Sequence, residues 1–303
     1  MDDIEPTIRS RELGDGMRAV MKRADLTGKQ TAELLAWSAT LLSRILAGKR
    51  HASALQVSAF LAVCRVTGTE RDQLIELCHE QHTPGWWQQH GSRLPEQLVT
   101  LMDHESKAVT ISDFQAMIVP GILQTGDYAR AVISRIATMP ADEIDGRVAA
   151  RLGRQNLFSR EHPARFTFYL HEFALRLSVG DPAVMLEQLD HLLRMSQRPY
   201  LTLRVVPAAF GAHAGSAGSF MLMEFADFKP VAYLENETSC LFLEQAEEIA
   251  AYRSVLRALA RAALSEEESR ELIARLATEL AADREDQDAR AHTEQHCLAH
   301  EQL

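Results

Sequence analysis

LTGKQTAELLAWSATLLSRILAGKR, residues 26–50, reads as two short helices joined by a tight turn. A turn at Asp25, Leu26 and Thr27 precedes a first helix over residues 29–35. Ser38 then offers a hydroxyl to the free amides of a second helix that runs to about Leu46 and stops at Gly48. Ala32, Leu35, Leu42 and Ile45 fall where the two helices would pack on each other. Ala39, Thr40, Ser43 and Arg44 fall on the opposite side. A helix-turn-helix needs this division, because the second helix enters a major groove only if its outer face is small or polar. Small groups at Ala39 and Thr40 allow close approach to base edges, and Arg44 reaches a guanine or a phosphate.

Working outward, helical spacing continues from Arg9 to His82. Leu13, Met17, Val20 and Met21 share a face of a helix ending near Ala24, and further helices fit residues 55–64 and 69–81, the last opening on a capping-box-like Thr69-x-x-Asp72. The expectation is a mainly α N-terminal domain of five helices over residues 1–82. TPGWWQQHGSRLP, residues 83–95, reads as a linker whose Trp86 and Trp87 dock on a neighbour. Beyond it, RFTFYLH (165–171), YLTLRVV (200–206), GSFMLMEF (218–225) and PVAYLE (230–235) are β-branched and aromatic runs bounded by Pro and Gly. With helical stretches at 96–109, 182–195 and 245–264, they predict an α+β domain over residues 96–280, followed by a polar tail, 281–303.

The chain of 303 residues carries 32 Lys and Arg against 42 Asp and Glu, a formal net charge of -10. Bulk charge therefore excludes nonspecific attraction to nucleic acid, and any DNA contact needs a local basic patch. Such a patch exists. Between Glu33 and Glu70 there is no acidic residue, while Arg44, Lys49, Arg50 and Arg65 are basic. Lys29 and Gln30 at the start of the preceding helix add candidate phosphate contacts. Leu41 and Leu46 fit a groove-facing helix poorly, and leave open a protein-interaction scaffold that uses the same apolar period.

Cys64, Cys78, Cys240 and Cys297 form no C-x-x-C pair, which argues against a disulfide framework or zinc ribbon. The opening MDDIEPTIRS is acidic where a signal peptide is basic and then apolar, and no apolar run approaches membrane-spanning length. A cytoplasmic protein with no membrane partner is expected.

The residues Ala32-Glu33-Leu34-Leu35, Trp37-Ser38, Ser43-Arg44-Ile45, Gly48 and Arg50 match a motif of one actinobacterial subgroup of helix-turn-helix regulators. On these residues the first domain resembles the Xre, or lambda-repressor-like, family. Two positions depart from its pattern: Ala36 stands where a turn glycine is common, and Leu46 where an acidic residue is common. The second domain resembles the partner domain of that subgroup, a domain of unknown function. The matching residues are Phe114-Gln115, VPGILQTGDYAR (119–130), Arg154-Gln155, LHEFALR (170–176), VVPAAFGAHAGSAGSF (205–220) and Tyr233-Leu234-Glu235. The resemblance implies a homodimeric, antitoxin-like transcriptional regulator that binds double-stranded DNA, and a small protein partner encoded by a neighbouring gene.

For chemistry in the second domain, Glu172, Arg176, His213 and Glu235 are the candidates for a ligand pocket at one end of a sheet. His213 lies between Gly211 and Gly218 in a glycine-rich loop, but the Lys and Ser/Thr of a phosphate loop are missing. A carboxylate pair with His213 would also suit acid–base work. No nucleophile elbow, H-E-x-x-H or recognised metal-ligand spacing accompanies it, so the expectation is no enzyme, no cofactor and no metal. His292, His296 and His300 recur at helical spacing beside Cys297, and are read as part of a solvated tail.

Overall fold

The computed structural model describes residues 6–81, 86–89, 96–136, 140–236 and 239–300; the side chains of 86–89, 96–97 and 285–300 lie outside that description. In chain order the elements are α1 (Ile8–Arg23), α2 (Gly28–Leu34), α3 (Ala39–Leu46), α4 (Ala54–Val63), α5 (Thr69–Glu80), β1 (Trp86–Gln89), α6 (Glu96–Lys107), β2 (Thr110–Gln115), α7 (Gly126–Ile133), α8 (Ile144–Gly153), β3 (Arg165–His171), α9 (Phe173–Arg176), α10 (Pro182–Met195), β4 (Leu201–Val206), β5 (Phe220–Glu224), β6 (Val231–Glu235), β7 (Ser239–Leu243), α11 (Ala246–Ala262) and α12 (Glu266–His300). Five N-terminal helices followed by an α+β region are thus the observed fold class.

The same grammar sets off each of the first four helices. Thr7, Thr27, Ser38 and Ser53 accept the amides of Ser10, Gln30, Leu41 and Gln56, and Thr27 and Ser53 complete reciprocal boxes with their glutamines. At the other ends the chain turns through left-handed residues: Asp25, Ala36, Gly48 and Arg65 have φ of 55, 51, 70 and 56°. Each gives its amide to a carbonyl three residues back, and the next residue bonds five back, as Ala36 to Glu33 and Trp37 to Ala32 do. These paired bonds are the Schellman closure, which satisfies the last carbonyls of a helix. The fifth helix differs from expectation: Gly68, not Thr69, is its N-cap, and no side chain caps it, because Thr69 already lies inside the helix.

The chain gathers into two compact units, Met1–Leu101 with Glu224–Ala251, and Met102–Met223 with Tyr252–Leu303. The first holds the five helices around Leu13, Met17, Val20, Ala32, Leu42, Ile45, Val57, Phe60, Leu61 and Leu74. It also holds β1, β7 and β6, an antiparallel ladder with Trp87 opposite Leu241 and Tyr233 opposite Phe242. The stretch read as a linker, 83–95, therefore contains a strand. The region read as one domain, 96–280, likewise yields residues 224–251 to the unit of the five helices. Specific bonds explain why: a Glu244 carboxylate oxygen accepts the Ile8 amide at 3.1 Å, and the Arg11 guanidinium lies 4.7 Å from the ring centre of Phe228. Half-buried Glu12 accepts the Thr100 hydroxyl at 2.7 Å.

In the second unit β2, β3 and β4 run parallel, with Phe114 opposite Tyr169 and Phe168 opposite Leu203; β5 lies on the other side of β2. From Phe166 to His171 every residue of β3 but Thr167 is buried, the pattern of a parallel strand covered on both faces. The outer edge of β4 is covered by residues 263–269: Arg204 donates to the carbonyls of Ala263 and Leu264, Leu264 N donates to Val205 O, and Val205 N donates to Ser269 Oγ. α12 continues as one helix through the boundary expected at residue 280, so the segment read as a tail is helical in its backbone as far as His300. The side chains of His292, His296, Cys297 and His300 lie outside the described residues.

Candidate nucleic-acid interface

α3 carries the division of faces that its sequence predicts. Leu42 and Ile45 are buried, Leu35 packs partly against the same core, and Ala39, Thr40 and Ser43 are exposed. Ser38 is exposed too, its hydroxyl accepting the Leu41 amide at 3.1 Å. Lys29, Gln30 and Lys49 are exposed and Arg44 and Arg50 half-buried. Of the two leucines that fitted poorly, Leu46 is buried and is not displayed on the groove-facing side, while Leu41 is half-buried and packs partly against the helical core.

The rear of α3 is held by α1. Arg18 donates to the Leu46 carbonyl, and Gly14 lets the two backbones approach until a Cβ on it would lie 2.1 Å from that same oxygen. Gly48 packs against Ser10 and Arg11 of α1. The loop that follows is fixed at Ala52, whose amide donates at 2.8 Å to the buried side chain of Gln81. A rigid rear leaves the outer face of α3 with a fixed geometry, as a reading helix requires.

The candidate pocket residues are brought together in part. Glu172 follows β3, accepts Arg176 Nε at 2.6 Å and caps the Ala208 amide at 2.8 Å. Burial pushes its carboxyl pKa up, yet the Ala208 amide and Arg176 outweigh that and hold it below the usual value. His213 accepts the Gly215 amide through Nδ1 at 3.1 Å, and its ring stacks on His171 with centroids 5.3 Å apart. His171 is the member that the sequence reading missed; its position as the last residue of RFTFYLH, beside Glu172, was the available signal. Glu235 departs from the expectation, since it ends β6 in the other unit, opposite Cys240.

The VPGILQTGDYAR segment builds a polar knot. Gln124 donates to Val119 O at 2.7 Å and accepts from Arg151 at 2.8 Å; Gln188 bridges Leu123 O and Thr125 N, both at 2.8 Å. Arg154 donates Nε and Nη2 to buried Glu105, the first at 2.9 Å. Gly121 leaves room for these guanidinium groups: a Cβ there would lie 3.3 Å from Arg154 Nη1. Structural bonding of this kind accounts for Gln124 of this segment and for Arg154.

Among the described residues no helix is long and apolar enough to cross a membrane, and no cluster of three potential metal ligands occurs. Residues 12–74 match a family described as a helix-turn-helix domain. Among solved structures, the chain is similar to that of TrmBL2, an archaeal chromatin protein whose structure is described as showing a novel mode of DNA binding. The identity is 10%, the TM-score 0.28, and the match covers 64% of this chain and 60% of that one, less than two thirds of its length. No curated protein matches. Residues 98–275 match the family described as a domain of unknown function (DUF5753), and with more than half of its length inside that match the chain belongs to this family.

Proposed function

We propose that the chain is a sequence-specific, DNA-binding transcriptional regulator of the Xre, antitoxin-like type, acting as a homodimer, with the second unit receiving a small effector or a protein partner. The observation that carries this reading is the exposed face of α3, where Ala39, Thr40 and Ser43 lie, with Arg44, Lys49 and Arg50, in the stretch between Glu33 and Glu70 that holds no acidic residue; Lys29 and Gln30 are exposed at the start of α2. Small side chains admit the helix to the groove, and the cations around them neutralise phosphates. Two copies are invoked because one short reading helix makes too few base contacts for useful specificity. The burial of Leu46 takes support from the scaffold alternative.

Mobility shifts with DNA from upstream of the gene, at several salt concentrations, test the reading. Arg44→Ala with Lys49→Ala is expected to weaken binding and flatten its salt dependence by about 0.9 in log–log slope for each phosphate no longer neutralised. Unchanged affinity and slope would sink it. Light scattering tests the dimer, and co-purification with the neighbouring gene's product tests the antitoxin-like role.

A further inference from the structure

The carboxyl ends of β2, β3 and β4 hold side chains that the DNA-reading face does not use. After β2 come Met117 and Ile118, after β3 Phe173 and Leu177, and after β4 Phe210, all exposed. Large apolar side chains exposed in the loops of three neighbouring strands mark a contact surface, and in sheets with parallel strands the carboxyl ends are where ligands sit. His171 and His213 stand at the same ends. Each imidazole spends Nδ1 accepting a backbone amide, of Phe173 at 3.2 Å and of Gly215 at 3.1 Å, which places the proton of the neutral ring on Nε2. Burial lowers both pKa values, so the rings are uncharged near neutrality. Phe114 packs edge-on against His213, and fits against Gly215 so closely that a Cβ there would stand 2.5 Å from the ring. The His213 loop is thereby fixed in place. Arg176, the cation of the β3 end, is balanced by Glu172 at 2.6 Å and Glu279 at 3.8 Å.

From this arrangement we infer that the carboxyl ends of β2–β4 bind an uncharged small molecule with an apolar body and a carbonyl oxygen, the oxygen taken by His213 Nε2–H and the body by Phe173 and Phe210. His171 acts as a positioning residue, stacked behind His213. Charge balance excludes an anion as the preferred occupant. The inference rests on the reading of the second unit as the effector-receiving part, and names the ligand class for it.

Calorimetry on the full chain, without DNA, tests this with benzylacetone as probe, against hydrocinnamate, its carboxylate counterpart, and butylbenzene, which lacks the oxygen. Saturable binding of benzylacetone, about fivefold or more tighter than either control, is expected. His213→Asn keeps an acceptor for the Gly215 amide but removes Nε2–H, and is expected to weaken benzylacetone by about fivefold while leaving butylbenzene unchanged. Phe210→Ser, at an exposed position, is expected to weaken both. No saturable binding, a preference for hydrocinnamate, or unchanged affinity in either variant overturns the inference. Mobility shifts on the same preparations keep the two readings apart: intact ligand binding without DNA binding sinks the regulator alone, and intact DNA binding without ligand binding sinks this site alone.

Discussion

Gly14 of α1 and the carbonyl of Leu46 at the end of α3 meet without room for a methyl group, a Cβ at residue 14 falling 2.1 Å from that oxygen. The partner atom is backbone, so it cannot swing aside. Gly14→Ala is expected to force α1 away from α3 and to destabilise the first unit by about 1–3 kcal/mol, the range for overpacking a closed interface. Denaturant unfolding measures the effect; a variant as stable as the wild type would show that the two helices separate without penalty.

Ala36 lies in the left-handed region at φ 51°, where a side chain costs of order 1 kcal/mol that glycine avoids. Ala36→Gly is therefore expected to raise stability by up to about 1 kcal/mol while leaving DNA affinity unchanged. Gly48→Ala, at φ 70° and with Ser10 Oγ 3.0 Å from the added Cβ, is expected to do the opposite and by more. Thermal unfolding of the two variants side by side checks the signs.

Glu105 is 1% exposed and takes both of its strong bonds from Arg154. Removing the guanidinium leaves a buried carboxylate without its charge partner. Arg154→Ala is expected to cost about 3–5 kcal/mol, and a combined Arg154→Leu with Glu105→Leu much less than the sum of its parts. A double-mutant cycle by urea denaturation gives the coupling.

Burial lowers the pKa of His171, His191 and His213 from the ordinary 6.5, with His213 lowering His171 further and Arg194 lowering His191 further. The unfolded chain thus binds protons that the folded chain refuses. Stability from these rings is complete above pH 6.5 and falls as the pH drops through the lowered folded values. Glu172, held low by Ala208 N and Arg176, adds a second decline below 4.5. Unfolding curves between pH 7.5 and 5.5 are expected to show the first decline, smaller in His213→Asn than in the wild type. An equal decline in both would remove His213 from the account.

The helical half was legible because its signals are local. Thr27, Ser38 and Ser53 announce helix starts, Gly48 an end, and Leu42 and Ile45 declare a face. What escaped was carried by pairing or by distant partners. TISDFQ, 110–115, reads poorly as a strand because Asp113 is buried within it, bonded by Gln115 Nε2 at 2.9 Å. SCLFL, 239–243, is short, and only its return along β6, with Asn236 Oδ1 accepting the Ser239 amide at 3.0 Å, makes it a hairpin arm. WWQQ becomes a strand through a partner some 150 positions away. Of the candidate sites, the exposed face of α3 followed from period alone, whereas the stacking of His171 on His213 required β3 and β4 to lie side by side.

The seating of residues 224–251 against α1 has a practical corollary for anyone excising the reading helices. A fragment ending at residue 82 would strip the Arg11 guanidinium of its aromatic seat and leave the Ile8 amide without its carboxylate. Transplanting the head into another regulator thus calls for two grafts rather than one, with β6 and β7 travelling alongside α1–α5.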